Sequence, residues 1–194
     1  AGANLTTGDN NVFLGQNAGA GITNYHYNTA IGYYAMGSTS DASTYNVAVG
    51  YTALRYGSGV IGNIGIGYQA LQGVGGMNGD YNIGIGYGAG DVIRDGLNNV
   101  FVGKHAGGSI NDGDSNIAIG ITAGNKITDG NDNICIGNLA GRNLVTGTGN
   151  IIIGTSASLA SDSSGMLVIG SGSLTTISAS LETGDILLQG DVSS

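Results

Sequence analysis

The chain has no proline, no tryptophan, one cysteine and few charges, with Asp, Glu, Lys and Arg making up 9% of its 194 residues. Each scarcity excludes something. The lone Cys135 rules out an internal disulfide framework and leaves the redox compartment open. Five basic residues against 13 acidic ones give a formal net charge of -8. Phosphate binding needs clustered Lys and Arg, so a nucleic-acid partner is not expected. No run approaches the roughly 18 apolar residues of a membrane helix, so membrane insertion is not expected. No secretion signal opens the chain, but Ala1 is compatible with a trimmed start, which leaves the compartment open.

Glycine is abundant instead, at 39 residues, alongside 41% hydrophobic residues. The glycines lack a Gly-x-y period, which excludes collagen. Regular apolar positions argue against disorder, because a disordered chain has too little apolar surface to offset the cost of ordering. Glycine combined with β-branched residues and asparagine indicates short strands joined by tight turns.

Internal repeats decide the architecture. The segments NVFLGQNAG, NTAIGYYAM, NVAVGYTAL, NIGIGYQAL, NIGIGYGAG, NVFVGKHAG, NIAIGITAG, NICIGNLAG and NIIIGTSAS follow one another, and a weaker copy, MLVIG, ends at Gly170. Their glycines are Gly15, Gly32, Gly50, Gly67, Gly86, Gly103, Gly120, Gly137 and Gly154, mostly 17 residues apart. An asparagine stands four residues earlier in each full copy: Asn11, Asn28, Asn46, Asn63, Asn82, Asn99, Asn116, Asn133 and Asn150. Alanine stands three residues after each of these glycines, from Ala18 to Ala157. The consensus is Asn-φ-x-φ-Gly-x-x-Ala, where φ is aliphatic and Thr29 is the main exception.

This pattern predicts an all-β parallel β-solenoid of about ten coils with a 17-residue period. It divides the chain into a lead-in at 1–10, the repeat domain at 11–170 and a cap or transition segment at 171–194. Two aliphatic residues separated by one position share a face of a strand. Stacked coils are expected to bury these pairs on one another about 4.8 Å apart. The glycine suits a bend with positive φ or close backbone approach. The asparagine suits a ladder in which each amide bonds backbone or the next asparagine. An amphipathic helical repeat fails, because a glycine in every core segment opposes helix.

The residue between the aliphatic pair is usually small: Ala30, Ala48, Gly65, Gly84, Ala118 and Cys135. With the pair assigned to the core, this strip is expected on the opposite, outer face. Phe13, Phe101, Ile152 and Val168 occupy the same position, which strengthens a self-association reading. A wider single-chain coil whose loops cover the strip is the alternative.

The pattern in NTAIG, NVAVG and NIAIG resembles the head repeat of YadA-like trimeric autotransporter adhesins. NTAIGYYAM and NNVFLGQNAG resemble still more the repeats of phage tail-fibre proteins over about residues 10–170. The resemblance implies a left-handed parallel β-roll packed as a homotrimer, with the small strip as the inter-chain face. The coil here is longer than the adhesin repeat, so its loops are larger. Such fibres often carry an endosialidase-type intramolecular chaperone that is cut off after assembly. The ending GDVSS is the kind of junction after which one begins, so Ser194 is expected near a mature end. Comparing intact masses of the precursor and the assembled fibre would decide this.

From Ser171 the period is lost. Leu174, Ile177 and Leu181 have helical spacing, and Ile186, Leu187 and Leu188 form an apolar run. This stretch is expected to cap the solenoid, since open sheet edges invite edge-to-edge growth. A one-heptad coiled coil is too short to convince.

No catalytic constellation emerges, and no cofactor is expected. His26 and His105 fall in distant coils. Cys135 reads as a small apolar filler. Asp95, Asp112 and Asp129 each begin an Asp-Gly turn at a spacing of 17, so their carboxylates should align and weakly suggest a calcium site. Asp-Gly is also simply a favoured turn. Tyrosines form the best candidate surface. Tyr33, Tyr51, Tyr68 and Tyr87 follow the repeat glycine, while Tyr27, Tyr45 and Tyr81 precede the repeat asparagine. Exposed rigid aromatics suit sugar stacking or protein contact, and a cross-coil ladder that only stabilises the shaft is the plainer reading. The functional expectation is a phage tail-fibre segment in the virion, spacing or presenting contact with a host cell-surface glycan or protein. A bacterial surface adhesin module is the alternative. An ice-binding solenoid lacks its flat threonine array, and an enzyme is the least expected class.

Overall fold

An Asn-φ-x-φ-Gly unit supplies only three strand-forming residues, and the computed structural model contains one three-residue strand per coil. These are β1 (Val12–Leu14), β2 (Thr29–Ile31), β3 (Val47–Val49), β4 (Ile64–Ile66), β5 (Ile83–Ile85), β6 (Val100–Val102), β7 (Ile117–Ile119), β8 (Ile134–Ile136) and β9 (Ile151–Ile153). The structure describes residues 1–21, 24–39, 43–172, 174–180 and 186–187. Every strand from β1 to β9 pairs in parallel with the next, in chain order and without slippage. Ile117 lies opposite Ile134, and Ile134 opposite Ile151. The result is an all-β parallel β-solenoid of about nine coils.

The interior is not built from the aliphatic pairs. Ala30, Ala48, Phe101, Ala118, Cys135 and Ile152, the residues between each pair, are 0–1% exposed. The pairs lie outside: Val12 is 53% exposed and Leu14 64%, and Ile66, Ile85, Ile119 and Ile136 are 36–39% exposed. The alternation along each strand is as the sequence predicts, but its two faces are reversed, with the small central residue inside and the aliphatic pair outside. The physical reason is the bore of the coil. The alanine column from Ala18 to Ala157 points inward and is fully buried, and so is a third column formed by Val60, Met77, Ile93, Ile110, Ile127 and Leu144. Three converging walls leave room for only a small residue at the centre of the strand.

Where that central residue is large, a neighbour is reduced to glycine. The Phe101 ring occupies the space a side chain would need at both Gly90 and Gly107. Conversely, a Cβ at Gly84 would stand 2.7 Å from Cγ of Leu71. At these positions bulk in one column is matched by glycine in its neighbour, as close packing demands.

Two ladders run the length of the tube. The backbone N–H of each repeat asparagine donates to Oδ1 of the asparagine one coil earlier, from Asn28 onto Asn11 (3.0 Å) to Asn150 onto Asn133 (3.1 Å). Each Nδ2 donates to a loop carbonyl of the next coil, as Asn99 does to Gly113 and Asn116 to Gly130. Asn46, Asn63, Asn82, Asn99, Asn133 and Asn150 are completely buried, and these bonds satisfy them. The repeat glycines adopt φ between 123° and 136°. A Cβ at Gly120 would lie 2.5 Å from the carbonyl oxygen of Gly137. Glycine is required there by backbone conformation and by the close approach of the next coil.

Residues 1–10 share the geometry of half a coil. Gly2 N–H donates to Ala18 O at 2.8 Å, as Gly19 N–H donates to Ala35 O at 2.9 Å, with φ of 58° and 60°. At the other end, β10 (Met166–Ser171) continues the parallel pairing with β9 and then turns back against β11 (Leu174–Ser180), which pairs antiparallel with β12 (Ile186–Leu187). The helical spacing of Leu174 and Ile177 is overridden, because both lie in β11 against the open sheet edge. Leu181 and Leu188 lie outside the described residues.

Candidate functional site

The tyrosines after the repeat glycine stack as the spacing predicts. Ring centroids are 5.2 Å apart for Tyr33–Tyr51, 5.1 Å for Tyr51–Tyr68 and 4.7 Å for Tyr68–Tyr87, with interplanar angles of 6–13°. The column is closed at both ends. Tyr34 packs its ring edgewise against Tyr33 at 4.7 Å, and His105 does the same to Tyr87 at 5.2 Å. Lys104 Nζ also lies 5.7 Å from the Tyr87 ring centroid. Every ring face is therefore engaged within the chain, and what remains exposed is edges and hydroxyls. Sugar stacking needs an open aromatic face, which this column does not offer.

The second column is shorter. Tyr27 and Tyr45 stack at 5.0 Å and 2°. Gly62 then takes the next place, and the Tyr81 ring leans over it, so that a Cβ at Gly62 would meet Tyr81 Cδ1 at 2.7 Å. Tyr27, Tyr45 and Tyr81 hold φ near 57–60°. This left-handed corner brings the chain into the strand.

The aligned aspartates are divided by a cation. Arg94 Nε lies 3.3 Å from Asp95 and its Nη2 3.6 Å from Asp112, while Asn78 Nδ2 donates to Asp95 Oδ1 at 2.8 Å. Among the described residues no group of three or more His, Cys, Asp or Glu side chains is arranged to hold a metal ion. A neighbouring polar column works on backbone instead. Asp80 accepts from Ile61 N–H at 2.7 Å, Asp114 from Leu97 N–H at 2.7 Å, and Asn131 from Asp114 N–H at 2.7 Å. Sequence reasoning missed this second ladder, although the spacing of 17 between Asp114 and Asn131 was available.

The remaining reactive residues are dispersed. His26 lies near Asp9 at 3.9 Å, and His105 is several coils away. Burial pushes the Asp91 carboxyl up, and the nearby His105 partly opposes that. Arg55, unremarked in the sequence, lies between the Tyr34 and Tyr56 rings at 4.7 Å from each centroid. Burial pushes the Cys135 thiol up to about 12, since the thiolate would be desolvated. We expect a maleimide at pH 8 to leave the native thiol unlabelled and to react once the chain is unfolded. The raised folded value also sets the sign with pH. Its stabilising contribution is complete below the unfolded thiol value and declines as pH rises past about 9 toward 12.

No protein-family model, no curated protein and no solved structure matches this chain. No helix of the described residues is long and apolar enough to cross a membrane.

The sequence candidates thus divide into three sets. The asparagines and glycines are structural ladders, and the tyrosines form two exposed margins, with ring faces stacked along the Tyr33–Tyr87 column and between Tyr27 and Tyr45. The third set, found only in the structure, is the outward aliphatic sheet between those margins. At about 4.8 Å per coil and 3.3 Å per residue, the panel from one margin to the other measures roughly 40 by 20 Å, about 800 Å². The aliphatic strip along its middle, three residues or about 10 Å wide, is a contiguous apolar patch of the size that on a monomer is often functional.

Proposed function

We propose that the chain is a rigid structural rod that self-associates through its outward aliphatic face into a homotrimeric fibre segment, and that it is not an enzyme. The carrying observation is the panel of valines and isoleucines left outside a tube whose interior is already full. Its area, about 800 Å², is one partner's share of a standard stable interface. The threefold state and the setting come from the resemblance of the repeats to phage tail fibres. In that setting the rod, in the virion, spaces or presents contact with a host cell-surface glycan or protein. Since the ring faces of the Tyr33–Tyr87 column are engaged, such contact falls to the loop edge or to a module the rod carries. The same repeats resemble the head of a bacterial surface adhesin, and that placement is the second reading.

The inter-chain face in this proposal is the opposite of the one drawn from the sequence. The small strip lines the bore, and the aliphatic pairs meet the partner. Light scattering coupled to size exclusion tests it. A mass of three times 19.2 kDa, maintained on dilution, is the expected result, and a monomer at micromolar concentration would overturn it.

A further inference from the structure

The two tyrosine margins carry information about how copies sit against each other, an inference that rests on the self-association just proposed. Each coil has one margin residue just before its asparagine and another just after its glycine, on either side of the aliphatic strand. The margins change character together. Tyr27 accompanies Tyr33, Tyr45 accompanies Tyr51, and Tyr81 accompanies Tyr87. One coil later both turn polar at once, at Asn98 and Lys104. In the coil between, Gly62 faces across to Tyr68, and the Tyr81 ring leans over Gly62 to cover that row. Gly62 also shows that the two positions are free to differ within a coil, so repeat duplication does not by itself tie them together.

Within one chain the two margins do not meet. Five residues, three of them a fully extended strand, lie between Tyr45 and Tyr51, and the six steps span roughly 20 Å at 3.3 Å per residue. They do meet between copies rotated about an axis parallel to the rod, where one chain's asparagine-side margin abuts its neighbour's glycine-side margin. If the copies are parallel and at equal height, tyrosine meets tyrosine in the same coils, and Asn98 and Asp132 meet Lys104 and Asn138 above them, with Ser115 opposite Ile121 in the coil between. An antiparallel pair would instead set the tyrosine-rich coils against the polar ones. The Tyr33–Tyr87 column exposes ring edges and hydroxyls, suited to edgewise aromatic contact and hydrogen bonding with the tyrosines of the other margin. Tyrosine is also enriched at protein interfaces.

We propose that Tyr27, Tyr45 and Tyr81 of one copy form a seam with Tyr33, Tyr51 and Tyr87 of the next, with the copies parallel and without axial stagger. The partner at the tyrosine columns is a second copy of this chain, and the columns set its register.

Disulfide trapping tests the seam. In a Cys135→Ala background, chains carrying Tyr45→Cys together with Tyr51→Cys are oxidised and run on a non-reducing denaturing gel, and the Tyr81→Cys, Tyr87→Cys pair is treated in parallel. Bridging requires Cα atoms within about 7 Å, which excludes an intrachain bond here. Both pairs should give covalent oligomers up to the full assembly. Each single cysteine should stay at chain mass, because a head-to-tail seam needs both halves. Tyr27→Cys with Tyr87→Cys, three coils apart in height, should not link. Unlinked matched pairs in an assembly that still scatters at threefold mass would overturn the seam and leave self-association standing. Cross-linking by single cysteines would overturn the parallel arrangement. A monomeric parent chain would remove both proposals together.

Discussion

Replacing Ile119 and Ile136 together by aspartate is expected to leave a folded rod that no longer associates. Both side chains lie on the outer sheet face, 38% and 36% exposed, and on adjacent strands in direct register. In the isolated chain the change costs little, since surface substitutions away from buried features fall within about 0.5 kcal/mol. Carboxylates on neighbouring strands add a modest repulsion. In an assembly the same groups would be sealed in an apolar seam as unpaired charges, each costing several kcal/mol. We expect the scattered mass to fall to that of one chain at micromolar concentration, with an unchanged β-sheet circular dichroism spectrum. Retention of the parental oligomer mass would show that another face holds the copies together. The converse variant, Ala118→Asp, distinguishes the two faces of the same strand. Ala118 is 1% exposed inside the tube, so a charge there should unfold the chain.

Asn116→Ala is expected to be among the most destabilising single substitutions that leave the backbone geometry allowed. Asn116 Oδ1 accepts from both N–H (3.1 Å) and Nδ2 (3.0 Å) of Asn133, and its Nδ2 donates to Gly130 O at 2.7 Å. Its Nδ2 also donates to Asn99 Oδ1 at 3.2 Å, so alanine removes all four bonds at a site that is 1% exposed. Each buried polar group left unpaired costs about 1–3 kcal/mol, so a loss of about 3–5 kcal/mol is expected, read as a lowered urea midpoint. Asn10, in the exposed position before the ladder, has no such role, and Asn10→Gly should leave the midpoint within experimental scatter. A loss below about 1 kcal/mol at Asn116 would mean that water enters the ladder and replaces the missing amide.

How much of this was legible follows from what a repeat can and cannot encode. The period, the parallel stacking, the asparagine ladder and the bend at each glycine were all readable, because each depends on one residue type recurring at one offset. Which face of the strand points inward was not readable from the Ile-Ala-Ile alternation, which is symmetrical with respect to inside and outside. The missing signal was the third wall. Ile93, Ile110, Ile127 and Leu144 recur at intervals of 17, outside the consensus that drew attention. Had that column been set beside the buried alanines, the bore would have been full before the Val and Ile pairs were placed. Leu174 and Ile177 misled for a different reason. Helical spacing over so short a stretch weighs little against the unsatisfied edge of β10, which recruits any chain able to pair with it.

The continuity of the asparagine ladder has a bearing on inheritance. Each rung reads only the coil directly before and after it, so any exchange that joins two coils in phase leaves the rungs unbroken on both sides. Recombination between coils therefore changes the rod by whole steps of about 4.8 Å. Reach becomes a trait that can be lengthened or shortened without re-inventing the fold.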